Sequence, residues 1–99
     1  MSAKIKHMVI FNLVHGKESP ETEKFLADGR ALLTSIPVVK EFEVLRQVSP
    51  KNDYDFGFSM VFDNEGEYAA YNSHPTHQNF VEQRWKKEVS RFLEIDFQS

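Results

Sequence analysis

The sequence predicts an α+β domain of the ferredoxin-like type, with the element order β-α-β-β-α-α-β. Segments in which apolar residues alternate with other residues are separated by segments in which they recur every three or four positions. Prolines and polar residues stand at the boundaries between these segments. The 99 residues contain no repeat and no linker, so we expect residues 1–99 to form a single domain.

The first half of the chain predicts a strand, a helix and a second strand. The segment Ile5–Val14 is a strand candidate with apolar residues on both faces. Ser19 and Pro20 have the residue types of an N-cap and a first helical residue, and apolar residues follow at helical spacing until Pro37. Across Val38–Val48, apolar residues alternate with acidic and amide side chains, which predicts a half-buried strand.

The second half predicts a third strand, two helices and a last strand. Residues 56–62 carry Phe or Met at every second position, which is typical of a strand with one apolar face. Asn64 can cap a short helix that carries Tyr68 and Tyr71. Pro75 has no N–H and a fixed φ, so we expect the next helix to begin there. The last strand is predicted from three alternating apolar residues, Leu93, Ile95 and Phe97.

Helices on one side of this sheet would leave its other face in water. That face carries either Phe56 and Phe58 or the residues opposite them, and the first strand is apolar on both sides. A sheet face of this kind is rarely left exposed. We therefore expect a homodimer whose two sheets pack face to face. The alternative is a monomer whose second face is polar.

Composition excludes several other functions. The formal net charge is −3, which gives no field for holding nucleic acid or an anionic membrane. No apolar run approaches the roughly 18 residues of a membrane span, and the first residues do not resemble a signal peptide. The chain has no cysteine, so disulfides, thiolate metal sites and cysteine catalysis are impossible. We expect a soluble cytoplasmic protein.

The segment Tyr71–His77 has the strongest chemical character in the chain, because it brings a phenol and two imidazoles to the start of a helix. His74 precedes that helix and can accept a hydrogen bond from its first turn. No third ligand is evident beside His74 and His77, so no metal site is predicted. His77 shares one helix face with three apolar residues at i+3, i+4 and i+8: Phe80, Val81 and Trp85.

Several segments of the chain resemble the stress-responsive dimeric A/B barrel (Dabb) family. They are Ile5–Val9, Ile36–Val39, Phe62–Glu67, Tyr71–Val81 and Ile95–Phe97. The stretch Tyr71–Val81 is the most specific of them. The resemblance implies a dimeric α/β barrel. It implies no single activity, because the family joins plant stress proteins, plant polyketide cyclases and bacterial members of unknown role.

The resemblance also implies site residues. In the cyclase branch, a Tyr and a His at the positions of Tyr71 and His77 work as an acid/base pair on a bound polyketide. An imidazole in an apolar stripe favours its neutral form, which is a base at pH 7, and a nearby phenol can polarise a carbonyl. His7 also matches the family, and we expect it at the edge of the same cavity. The expected apolar lining is Val9, Phe11, Phe25, Phe80 and Trp85.

Three functions remain open at this point. The first is a dimeric protein that binds a small, mostly apolar molecule between sheet and helices. The second is an enzyme that needs no cofactor, a polyketide cyclase or a related lyase or isomerase, with His77 and Tyr71 as its acid/base pair. The third is a redox or haem-handling relative on the same fold. A purely structural alternative is that Tyr71 and His77 bond to each other or to the backbone and hold the helix on the sheet.

Overall fold

The structure is a computed structural model that describes residues 3–99 and contains a four-stranded sheet. The strands lie in the order β2-β3-β1-β4, and each neighbouring pair is antiparallel. The predicted ferredoxin-like α+β class and its order of strands and helices are confirmed. The strands are β1 (Ile5–Leu13), β2 (Lys40–Arg46), β3 (Phe56–Phe62) and β4 (Val89–Gln98).

The three main helices begin at the predicted caps. They are α1 (Pro20–Leu33), α2 (Glu65–Ser73) and α3 (Pro75–Phe80). Ser19, Asn64 and His74 each accept a hydrogen bond from a backbone N–H of the first turn, at 3.2, 2.9 and 3.1 Å. Such bonds satisfy N–H groups that a helix leaves without partners. No helix within residues 3–99 combines the length and the apolar character needed to cross a membrane.

The helix that begins at Pro75 does not continue as a regular α-helix. Residues Val81–Trp85 form a π-helical turn, in which the N–H of Lys86 reaches the carbonyl of Val81. A short helical turn, α4 (Lys86–Glu88), then leads directly into β4. Single π turns are rare and occur frequently at functional sites. Val81 and Trp85 are the first and last residues of this turn.

The strand β2 is shorter than the pattern predicts. The prediction extended from Val38 to Val48, but Val48 is 93% exposed and β2 ends at Arg46. Its pairing with β3 is also irregular between Lys40 and Glu43. Val48 lies beyond the last paired residue of β2, so its place in the alternation does not bury it.

The two faces of the sheet differ in what covers them. Phe56 and Phe58 face the helices and are buried, so the open face carries the residues opposite them. On β1 and β4 the open face is formed by Met8 opposite Ile95 and by Ile10 opposite Leu93. Leu93, Ile95 and Phe97 are 55%, 47% and 51% exposed.

Candidate functional site

A cavity of about 320 Å³ lies between the sheet and the helices. Small-molecule sites in proteins are typically concave, mostly apolar and of this size or larger. Its apolar lining includes Val9, Leu33, Phe58, Phe80, Trp85 and Phe92. Its polar lining consists of His7, Tyr71, Asn72, His77, Lys86 and Glu94.

Six of the eight site residues expected from the sequence line this cavity, and two lie beneath it. Phe11 and Phe25 are completely buried and are not part of the lining. The ring of Phe11 lies 4.9 Å from that of Trp85, and the ring of Phe25 lies 5.5 Å from that of Phe80. Trp85 and Phe80 therefore separate the two phenylalanines from the cavity. The residues that reach it are His7, Val9, Tyr71, His77, Phe80 and Trp85.

Tyr71 and His77 are neighbours, as the resemblance implied. Tyr71 lies in the last turn of α2 and His77 in α3, and their ring centres are 4.3 Å apart. Nδ1 of His77 is 3.2 Å from the carbonyl oxygen of Asn72. Because a carbonyl can only accept, Nδ1 carries the proton and Nε2 of the neutral ring keeps its lone pair.

Burial favours the uncharged forms of both side chains. It lowers the pKa of His77 below the ordinary value of 6.5, although the Asn72 carbonyl opposes this shift. Burial also raises the pKa of the Tyr71 phenol well above its ordinary value of 10.0. The pair therefore offers a proton acceptor, the imidazole, beside a proton donor, the phenol.

A second histidine, His7, lines the same cavity and is hydrogen-bonded to a carboxylate. Nδ1 of His7 lies 2.6 Å from an Asp96 carboxylate oxygen, and the Tyr68 hydroxyl lies 3.0 Å from the same nitrogen. Tyr68 also donates to Asp96 at 3.3 Å. His7 donates from Nδ1 to the carboxylate, because an ionised carboxylate can only accept. The ring centre of His7 is 6.2 Å from that of Tyr71.

Neither Asp96 nor Glu94 is among the site residues expected from the sequence. In the register of the sheet, His7 lies opposite Asp96 and Val9 opposite Glu94. Side chains directly opposite each other in an antiparallel pair lie on the same face of the sheet. The alternation of β4 could have revealed this placement, because these two acidic residues stand between the apolar residues of the open face.

His74 does not join the site. Its Nδ1 accepts the N–H of Thr76 at 3.1 Å, which is the predicted capping role, and its side chain does not line the cavity. Within residues 3–99, no group of three His, Asp or Glu side chains is placed to bind a metal ion.

Comparison with known proteins identifies the family. The stress responsive A/B barrel domain (Dabb) family matches residues 5–99. The chain belongs to the Dabb family. It is 33% identical over 84 residues to a stress-response A/B barrel domain-containing protein of Arabidopsis thaliana, covering 76% of this chain and 68% of that protein.

Solved structures share the fold. A Dabb family protein with a ferredoxin-like fold from Mesorhizobium loti is 49% identical, with a TM-score of 0.95 and coverage of 97% of this chain and 96% of that one. A dimeric ferredoxin-like protein of unknown function from Thermobifida fusca is 20% identical, with a TM-score of 0.78 and coverage of 100% and 93%. The hydroxynitrile lyase from Passiflora edulis is 13% identical, with a TM-score of 0.84 and coverage of 100% and 95%. At these lower identities the similarity shows the fold alone.

Proposed function

We propose that this Dabb protein binds a small, mostly apolar molecule in the cavity between its sheet and its helices. The observation that carries the proposal is the convergence of His7, Tyr71 and His77 on one cavity whose remaining lining is largely apolar. Apolar walls supply affinity, and a few fixed polar groups supply orientation. The polar groups here are fixed, because Asn72 holds His77 and Asp96 holds His7.

A thermal-shift screen with two histidine variants tests this proposal. A compound that binds the folded state raises the melting temperature, by an amount that depends on its concentration relative to its dissociation constant. We expect compounds with an aromatic or fatty-acid-like body to stabilise the wild type and His74→Ala, and to lose much of this effect in His77→Ala. His74 is the matched control, since it lies three residues away and outside the cavity. A shift that survives in His77→Ala, or no shift in any variant, contradicts the proposal.

A second candidate function is acid/base catalysis at the same site. The specific observation in its favour is the neutral imidazole of His77 beside the protonated Tyr71, with 4.3 Å between the ring centres. Such a pair can remove a proton next to a carbonyl while the phenol donates to the carbonyl oxygen. The hydroxynitrile lyase with the same fold is an example of an enzyme on this scaffold.

Proton exchange into a simple ketone tests the catalytic candidate without knowledge of the substrate. In D₂O, an acid/base pair of this kind exchanges the protons next to the carbonyl of phenylacetone for deuterium, which NMR detects. We expect wild type to accelerate the exchange, and both His77→Ala and Tyr71→Phe to reduce the acceleration by about tenfold or more. Exchange at the rate of buffer alone, in a protein that binds the ketone, would leave binding as the function.

We also propose that the chain forms a homodimer through the open face of its sheet. Leu93, Ile95 and Phe97 are about half exposed on that face, beside Met8 and Ile10. Burial of apolar area at about 25 cal/mol per Å² favours a partner with the same apolar surface. The fold is found in proteins described as dimeric, such as the one from Thermobifida fusca.

Light scattering on size-exclusion fractions measures the state directly. Ile95→Lys places a charge between Leu93 and Phe97 on the open face, so we expect it to convert a dimer of the wild-type chain into a monomer. Val48→Lys is the matched control, because Val48 is 93% exposed and lies outside the sheet. A wild-type monomer, or an Ile95→Lys variant that stays dimeric, contradicts this interface.

A cytoplasmic location is the last part of the proposal. The chain contains no cysteine, so its fold requires no oxidising compartment for disulfide formation. Cell fractionation of the native host checks this location.

A further inference from the structure

The charged residues that line the cavity differ in whether they have an ion-pair partner. Two charged residues line it, Lys86 and Glu94. Nζ of Lys86 lies 2.6 Å from a carboxylate oxygen of Glu82, one helical turn away. Glu94 has no ion-pair partner among residues 3–99. The cation of the lining is therefore already paired, whereas its anion is not.

The position of Glu94 in the sheet places its charge beside the cavity. It lies on β4 opposite Val9, on the side of the sheet that faces the cavity. Burial is the main cause that raises the pKa of Tyr71, and the charge of Glu94 adds to it. Glu94 and Tyr71 both line this cavity.

Two hydrogen-bond acceptors of the lining point to the same kind of ligand. Because the proton of His77 lies on Nδ1, its neutral ring offers Nε2 as an acceptor. The Glu94 carboxylate is the second acceptor. A ligand that donates a hydrogen bond can satisfy these groups, whereas a ligand with only acceptors leaves them unpaired.

We infer that the ligand is an uncharged hydroxy compound with an apolar body rather than a carboxylate, and that Glu94 determines this selection. The inference rests on the proposed binding function and adds the class of ligand. A carboxylate in this cavity would be repelled by the unpaired charge of Glu94, which lines the cavity although the residue is exposed to solvent. A hydroxyl group carries no charge and can donate to Nε2 of His77. Specificity then comes from rejection of the anion as well as from attraction of the donor.

Three ligands with the same apolar body test the inference: para-butylphenol, para-butylanisole and para-butylbenzoate. The phenol donates a hydrogen bond, the methyl ether only accepts, and the benzoate is an anion. Calorimetric titration at about pH 8 keeps His77 neutral and the phenol protonated. We expect wild type to bind the phenol at least about tenfold more tightly than either of the other two.

Two variants with the same net charge distinguish an effect of the charge of Glu94 from an effect of net charge. Glu94→Gln removes the charge from the cavity, so we expect it to bind the benzoate about tenfold more tightly and to change phenol binding less than threefold. Glu21→Gln makes the same change in net charge on the exposed first turn of α1, and we expect it to bind all three ligands as wild type does.

The outcomes distinguish this inference from the function on which it rests. If the benzoate binds wild type as tightly as the phenol, or if Glu94→Gln does not alter their ratio, the selection by Glu94 is wrong while the binding function stands. If the two glutamine variants behave alike, the effect is one of net charge, which also overturns the inference. If wild type binds none of the three ligands, the binding function fails and the inference falls with it.

Discussion

The layer between sheet and helices has two halves that differ in packing. In the half around Phe11 and Phe25, aromatic rings fill the space completely, and both residues are 0% exposed. In the half around His7 and His77, the same layer contains a cavity and several polar side chains. Strand β1 contributes to both halves, because every second residue along it faces the helices. One half is closely packed, and the other retains open space lined by polar side chains.

Removal of a ring from the filled half gives the largest expected effect. Phe25→Ala leaves a space that the surrounding rings cannot fill, so we expect the free energy of unfolding to fall by about 3–5 kcal/mol. Phe92→Ala is the comparison in the cavity half, where the ring is 50% exposed and packs on Trp85 at 5.6 Å. We expect a loss of about 1 kcal/mol there, since half of its burial is already missing. Urea unfolding of both variants measures the difference, and equal losses would remove the distinction between the halves.

Gly29 lies at the boundary between the halves and gives a smaller effect. A Cβ on Gly29 would lie 2.8 Å from Cζ of Phe58, a ring that also lines the cavity. We expect Gly29→Ala to destabilise the fold by about 1 kcal/mol, because overpacking of about 1–3 kcal/mol outweighs a gain in helix propensity of about 1 kcal/mol.

The matched control for this change is Gly16→Ala, because a Cβ there meets only Ser19, at 3.9 Å. We expect its unfolding free energy to stay within about 0.5 kcal/mol of wild type. An unchanged stability of Gly29→Ala would mean that the Phe58 ring can move into the cavity, so that the two halves share one adjustable boundary.

The two halves also differ in how far the sequence could predict them. The filled half follows from hydrophobic alternation, because Phe11, Phe25 and Phe58 are apolar residues at strand or helix spacing and are all buried. The lining role expected for Phe11 and Phe25 from the family resemblance was not met, because periodicity gives the face of a residue but not its depth. Depth depends here on the π turn, which brings Trp85 over Phe11 and which no spacing rule predicts.

Prediction of all the contacts in the cavity half requires knowledge of which strand residues pair with each other. His77 and Tyr71 were found from the chain because they lie close together in sequence. Asp96 was not found, because it meets His7 only through the register of β1 with β4, 89 positions along the chain. A contact of that separation depends on the whole sheet.

Removal of one oxygen atom can weaken the hydrogen bonding between Tyr68, His7 and Asp96 in the cavity half. Tyr68→Phe removes the hydroxyl that lies 3.0 Å from Nδ1 of His7 and donates to Asp96. We expect a loss of about 1 kcal/mol in the free energy of unfolding, the usual net value of one hydrogen bond. Tyr54→Phe is the control on a half-buried tyrosine whose ring packs under Arg91 at 4.2 Å, and its loss should be smaller. Equal stability of Tyr68→Phe and wild type would mean that Asp96 alone holds His7.

The smallest expected effect is the pH dependence contributed by His77. Burial lowers its pKa in the folded state below the ordinary value of 6.5, so the unfolded chain binds this proton more readily than the folded one. The contribution to stability is therefore complete above pH 6.5 and is lost as the pH falls through the lowered pKa of the folded state. We expect the free energy of unfolding of His77→Gln to fall less on acidification than that of wild type. The same difference is expected between His77→Gln and His74→Gln, a control that removes the capping imidazole instead. An NMR titration of the His77 ring gives the sign independently. A folded-state pKa at or above 6.5 would mean that water reaches the imidazole freely, and that the cavity half is open to solvent rather than buried around the pair.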